Sequence, residues 1–222
     1  MRNVVIVCAH PDDEVLGVGG AIQRHIDDGD KVTVIYVTDG YYIDNESEEI
    51  IHRRAAAEAA CRKLGVGEKV FMGKKGLMLD TYSSAILNGE LSKIFRSIMP
   101  DIVYTHNWGD INLDHKVVFD MVMVASRPHK GGPRCDILVF ETLSSTEWSG
   151  TQESIAFIPN KFIEITEAQV RNKVEAFCCY GQEVQEYPNP RSEAGIINLA
   201  RYRGQAISSY YAESFHVVRS IY

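Results

Sequence analysis

The chain has 222 residues, enough for one large domain with a well-buried core and short for two. With 45% hydrophobic and 24% charged residues, 17 glycines and 7 prolines, its composition is that of an ordinary globular protein, which excludes disordered and fibrous classes. A formal net charge of -7, with no Lys/Arg run longer than two, offers no basic surface to a phosphate backbone, so no nucleic-acid partner is expected.

The first element is the apolar run Asn3-Val4-Val5-Ile6-Val7-Cys8-Ala9, read as a buried strand ending near Ala9. It is too short for a secretory signal, and no stretch of about 18 apolar residues follows anywhere, so a cytoplasmic location without a transmembrane segment is expected. A helical pattern over 15–29 leads to a second strand, 31–40, ending near Thr38, and another helical pattern over 48–66 leads to a third strand, 68–73. Helical spacing over 83–99, a strand over 101–106 ending near His106, a helix over 114–126 and a strand over 136–141 complete the alternation. Short Val/Ile-rich runs separated by helices predict an α/β fold: a doubly wound, mostly parallel sheet with helices on both faces, in one domain spanning 1–222. The polar, irregular stretch 143–159 reads as an active-site loop or lid, and 165–181 and 192–207 as closing helices separated by Tyr187-Pro188-Asn189-Pro190. Tyr210, Tyr211, Phe215, Ile221 and Tyr222 suit either core or a contact between copies, which leaves a homo-oligomer open. The five cysteines, without a CxxC pair, read as buried thiols in a reducing compartment.

In such sheets, ligands bind beyond the carboxyl ends of the strands. Two polar clusters fall there: His10, Asp12, Asp13 and Glu14 after the first strand, and His106 to His115 after the fourth. A loop that aims an imidazole and a carboxylate at one point suits zinc or a similar divalent ion, which makes His10 and Asp13 candidate ligands and His115 the third. Three protein ligands with open positions describe a catalytic metal site. Asp12, left without a ligand role, is placed to take a proton from activated water. A dinucleotide reading of Gly17-Val18-Gly19-Gly20 fails, because Ile22 stands where a third glycine or alanine is wanted and the turn is acidic. Those glycines suit close approach of the first helix to the sheet or to a substrate.

His10-Pro11-Asp12-Asp13-Glu14, followed by Gly19-Gly20 and by Asp114-His115, resembles the PIG-L/LmbE-like family of zinc-dependent N-acetylglucosaminyl deacetylases along nearly the whole chain. The resemblance implies zinc held by His10, Asp13 and His115, although such ligands also accept Fe2+ or Co2+. It implies Asp12 as general base, Asp114 in the catalytic set, and Glu14 as a partner that orients a ligand. Arg53 looks like the family's substrate-contacting arginine, or is an exposed helix charge. Asn112 stands where members commonly have a histidine; it can donate a hydrogen bond but no proton, so His106 is a candidate to supply one. Arg53, Trp108, Glu147 and Trp148 are candidates to grip a sugar, with core packing equally open to the two Trp. Ser144 to Trp148, Pro190 to Glu193 and Tyr211 to Phe215 look like a bacterial branch found with surface-polysaccharide enzymes. The implied partner is an amino sugar, free or linked to a nucleotide or lipid. An amidase for a larger acyl or thiol-conjugate substrate, and a non-catalytic sugar- or nucleotide-binding module, remain the alternatives.

Overall fold

Strand β1 (Asn3–Cys8) is apolar from Val4 onward because both faces of the sheet are covered. Val4, Ile6 and Cys8 pack under helices α1 (Asp13–Asp27), α2 (Glu46–Leu64) and α5 (Glu167–Phe177). Val5 and Val7, pointing the other way, meet Leu87, Leu91, Phe95, Val118 and Val122 of α3 (Ser84–Ile98) and α4 (Leu113–Ala125). Each such side chain contributes about 1.5–3 kcal/mol by leaving water, so the run fixes β1 at the centre of the fold. The computed structural model describes residues 1–40, 46–129, 131–150, 152 and 154–221.

Strands β2 (Lys31–Thr38), β3 (Glu68–Lys74), β4 (Ile102–His106) and β5 (Asp136–Phe140) join β1 in parallel, in the order β3-β2-β1-β4-β5. The chain therefore leaves β1 toward one edge and returns to β4 on the other side. This makes the crevice between the ends of β1 and β4 the switch point of the sheet. The sheet then continues beyond what the hydrophobic runs announce. β7 (Ala212–Arg219) pairs antiparallel with β5, and β6 (Lys161–Glu164) pairs antiparallel with β7, giving seven strands among the described residues. Neither carries a continuous Val/Ile run, because β6 is a short edge strand and β7 is only half covered. Phe215 of β7 is core, whereas Tyr210 just before it is exposed; Tyr222 lies outside the described residues.

The closing helices α5 and α6 (Glu193–Gln205) stand where the periodicity predicts them. Thr166 and Gln169 form a reciprocal capping box on α5, and Ser192 accepts from Gly195 N–H at the start of α6. In α1, a Cβ on Gly17 would lie 2.2 Å from the Phe140 ring, so that glycine serves close packing of helix on sheet. Cys8, Cys61 and Cys135 are buried, but Cys178 is exposed on the 3-10 segment Cys178–Glu183, contrary to the reading of all five as core thiols. Among the described residues, no helix is long and apolar enough to cross a membrane.

Candidate active site

The turn after β1 is held from both neighbouring strands. The Ala9 carbonyl accepts from Thr38 N–H (2.9 Å) and Thr38 Oγ1 (2.7 Å) of β2, and Ala9 N–H donates to His106 Nε2 (2.9 Å) at the end of β4. His10 follows immediately, and Asp12 adopts φ 120°, a region a non-glycine residue enters only at a cost of about 1–3 kcal/mol. That conformation turns the chain into α1 with Asp13 and Glu14 in its first turn, both fully buried.

One imidazole nitrogen of His10, a carboxylate oxygen of Asp13 and one nitrogen of His115 lie within 4.8 Å of one another. His10 Nδ1 is 3.3 Å from His115 Nε2 and 3.4 Å from Asp13 Oδ2. Asp13 Oδ1 is buried with no hydrogen-bond donor, 3.5 Å from His115 Nε2. Two ring nitrogens facing each other beside an undonated carboxylate oxygen form a His-Asp-His set of the kind that fits a divalent cation. The charge balance agrees. Burial opposes protonation of His10, yet Asp114 and Asp13 push it up to about 10, so the site favours positive charge at this point.

Each histidine is held from behind. His10 Nε2 meets Asp114 Oδ2 at 3.0 Å, and Asp114 is itself fixed by the N–H groups of Leu77 (2.5 Å) and Leu79 (3.1 Å). His115 Nδ1 lies 3.2 Å from Asp110 Oδ2, off the line of a straight hydrogen bond. Asp110 also accepts from Ser145 Oγ, Thr146 Oγ1 (2.8 Å) and Asn112 N–H (3.0 Å). Carboxylates in these places would set which nitrogen of each ring faces a bound ion. They also bind 145–146 to the site, while Asn107 and Trp108 donate to the carbonyls of Ile155 and Ser154 (3.2 and 2.9 Å). The expected loop or lid is thus tied down at both places; residues 151 and 153 lie outside the described residues.

Asp12 sits beside the donor set without joining it. Its Oδ2 accepts from Arg191 NH1 at 2.8 Å, and burial raises its pKa to about 7 against the pull of Arg191. Glu14 accepts Asp12 N–H (3.1 Å) on one oxygen and the Tyr180 hydroxyl (2.5 Å) on the other. It therefore fixes the backbone of Asp12, not a metal-ligand side chain as expected. Burial raises Glu14 to about 8 although the Tyr180 hydroxyl works the other way.

The cleft over this centre, ≈ 230 Å3, is walled by Asn112, Arg53, Glu183 and Arg191. Asn112 caps α4 by accepting Asp114 N–H on Oδ1 (3.0 Å), which leaves its amide N–H groups to the cleft. Arg53 crosses Gly40, where φ is +92° and a Cβ would stand 2.4 Å from Arg53 Cδ; only glycine permits that approach. Four expected site residues need correction. His106 is fully buried, its Nε2 accepts from Ala9 and its ring stacks 3.8 Å from that of His115. Burial, followed by the charge of His115, lowers its pKa to about 4, so it anchors the turn as a neutral ring sealed away from the cleft. Trp108 packs on Phe119 and His216, and Glu147 accepts the N–H groups of Ser144 and Ser145 in its own turn. Trp148 is exposed, and neither it nor these two lines the cleft.

Sequence reasoning overlooked Asp110, Glu183 and Arg191 as site residues. Asp110 carried a signal, a third acid within five residues of His115. Arg191 is 179 positions from Asp12, a distance no local pattern spans.

The family profile described as PIG-L: GlcNAc-PI de-N-acetylase matches residues 5–126. A 1D-myo-inositol 2-acetamido-2-deoxy-alpha-D-glucopyranoside deacetylase of Actinosynnema mirum is 31% identical over 47% of this chain and 47% of its own length. The chain spans about half the length of the first curated relatives it matches. An uncharacterized deacetylase of Escherichia coli K12, YaiS, is 27% identical over 79% of this chain and 88% of its own. Among solved structures, the N,N'-diacetylchitobiose deacetylase of Pyrococcus horikoshii superposes with a TM-score of 0.78 at 22% identity, covering 98% of this chain and 84% of that one, a likeness of fold.

Proposed function

Because the chain belongs to the PIG-L family, whose profile covers residues 5–126, we propose that it is a zinc-dependent hydrolase removing the acetyl group from an N-acetylglucosamine-type sugar. The observation that carries the reading is the convergence of His10, Asp13 and His115 within 4.8 Å, beneath an open cleft and beside an Asp12 that is not a ligand. When bound, a divalent ion supplies Lewis acidity toward water and toward an amide carbonyl.

The remaining work falls to the chain. Asp12 takes the proton from the attacking water, and Arg191 holds its carboxylate in place. Asn112 donates an amide N–H as negative charge builds on the acetamide oxygen. With His106 buried, Asp12 returns the proton to the leaving amine, a role that suits a carboxylate at about 7. Arg53 and Glu183 meet the sugar hydroxyls at the cleft wall.

The test is acetate release from N-acetylglucosamine, UDP-N-acetylglucosamine and N,N'-diacetylchitobiose, using metal-stripped protein before and after zinc is restored. Zinc-dependent acetate is the expected result, and Asp12→Ala should lose about two to four orders of magnitude while still binding zinc. No acetate from any of them, with zinc tightly bound, overturns the reading in favour of a larger acyl substrate or a binding module.

A further inference from the structure

We propose that Tyr180 is a positioning residue for the hydrolytic step: through Glu14 it holds the backbone that aims Asp12; this inference rests on the deacetylase reading above. Asp12 stands in the positive-φ region, at φ 120° and ψ -29°, which a residue with a side chain does not adopt unless its neighbours hold it there. Its carbonyl accepts the N–H groups of Val15 (3.1 Å) and Leu16 (3.0 Å), contacts that α1 supplies by itself. Its N–H donates to Glu14 Oε2 (3.1 Å), so the tilt of the Pro11-Asp12 peptide depends on where the Glu14 carboxyl stands. A carboxyl turns broadly about its last torsion unless both oxygens are engaged. The second oxygen, Oε1, meets the Tyr180 hydroxyl at 2.5 Å, with Glu14 fully buried and Tyr180 5% exposed. The described residues that line the cleft do not include Tyr180, so it acts on Asp12 and not on the sugar.

Asp12 is gripped twice from one stretch of chain. Tyr180 belongs to the 3-10 segment Cys178–Glu183, and Glu183 of the same segment bonds Arg191 NH1 (2.8 Å), the nitrogen that holds Asp12 Oδ2 (2.8 Å). The segment thus sets the backbone of Asp12 by one route and its carboxylate by the other. The metal donors have separate supports. His10 N–H donates to Asp13 Oδ2 (2.8 Å), His10 Nε2 meets Asp114, and His115 Nδ1 faces Asp110. Removing the Tyr180 hydroxyl should therefore misplace the base and leave the donor set where it is. A ring that only filled the core would need no hydroxyl against a buried carboxyl.

The test is Tyr180→Phe, which keeps the ring and removes the hydroxyl. In metal-stripped protein, hydrogen exchange followed by NMR should show the Asp12 amide exchanging at least about tenfold faster, with Val5 and Ile6 of β1 unchanged. In the zinc-restored enzyme, kcat for acetate release from the best of the three sugars above should fall about ten- to hundredfold while KM and zinc affinity stay the same. Glu14→Met breaks the same link from its other end, and the double variant should be no slower than Glu14→Met alone. If circular dichroism shows Tyr180→Phe misfolded, Glu14→Met carries both readouts. Unchanged exchange at Asp12, a kcat that does not move, a loss of zinc affinity matching the loss of kcat, or losses that multiply in the double variant overturns the role. Faster exchange at Asp12 in a protein that releases no acetate from any sugar, wild type included, supports the hold on Asp12 and overturns the deacetylase reading, so the two failures are distinguishable.

Discussion

Replacing Arg191 with methionine isolates what the guanidinium does for Asp12. Arg191 NH1 lies 2.8 Å from an Asp12 carboxylate that is 3% exposed. A charge-assisted hydrogen bond in such a place is worth about 1.5–3 kcal/mol. Glu183 shares the same nitrogen at 2.8 Å, which argues for the lower end. At about 1.4 kcal/mol per pKa unit, the carboxyl should rise by about one unit. Its present position, about 7, already reflects burial outweighing Arg191, so loss of the cation leaves burial unopposed. A base must be deprotonated to act, and the acidic limb of kcat/KM should therefore move up by about one pH unit. Below the limb the variant should be slower by about tenfold, and well above it the two rates should converge. The assay is acetate release as a function of pH with both proteins zinc-loaded, so that the ion affects both limbs alike. A loss of the same size at every pH, with the limb unmoved, refutes the argument and leaves Arg191 a merely structural group.

Asp110→Asn weakens the carboxylate behind His115 and should lower zinc affinity about 10–100-fold in competition with a chelating dye; unchanged affinity would remove Asp110 from the centre. Zinc at about 100 times its dissociation constant should stabilise the fold by about 2.7 kcal/mol, read as a melting temperature that drops on chelation and returns with zinc. A melting curve indifferent to both would count against the His10-Asp13-His115 centre. Glu14 is raised from an ordinary 4.5 to about 8 by burial, so the native state keeps a proton that the unfolded chain gives up. Stability of the metal-free protein should fall as pH rises from about 4.5 to about 8, and Glu14→Gln should flatten that fall. An identical pH profile for the variant would show that Glu14 is ionised in the native state.

The continuous apolar runs at β1, β2, β4 and β5 were legible in the sequence because strands covered on both faces admit almost nothing else. From them follow the parallel sheet and the location of its strand ends, where His10 and Asp13 follow β1 and His115 lies in the first turn of α4, the helix after β4. β6 and β7 were not legible, since an edge strand and its half-covered neighbour carry no such run.

What the sequence by itself determined is the set of atoms able to hold a metal, because ligand chemistry is fixed by residue type and the switch point by strand order. Only the tertiary structure decided which groups serve those atoms. His106 and Asp114 are both histidine or acid near the same strand end, yet one is sealed beneath the turn and the other orients His10. Arg191 reaches Asp12 from the far end of the chain, and Glu183 joins it to Arg53. Burial and charge pairing act through space over a few ångströms, and distance along the chain carries almost no information about either.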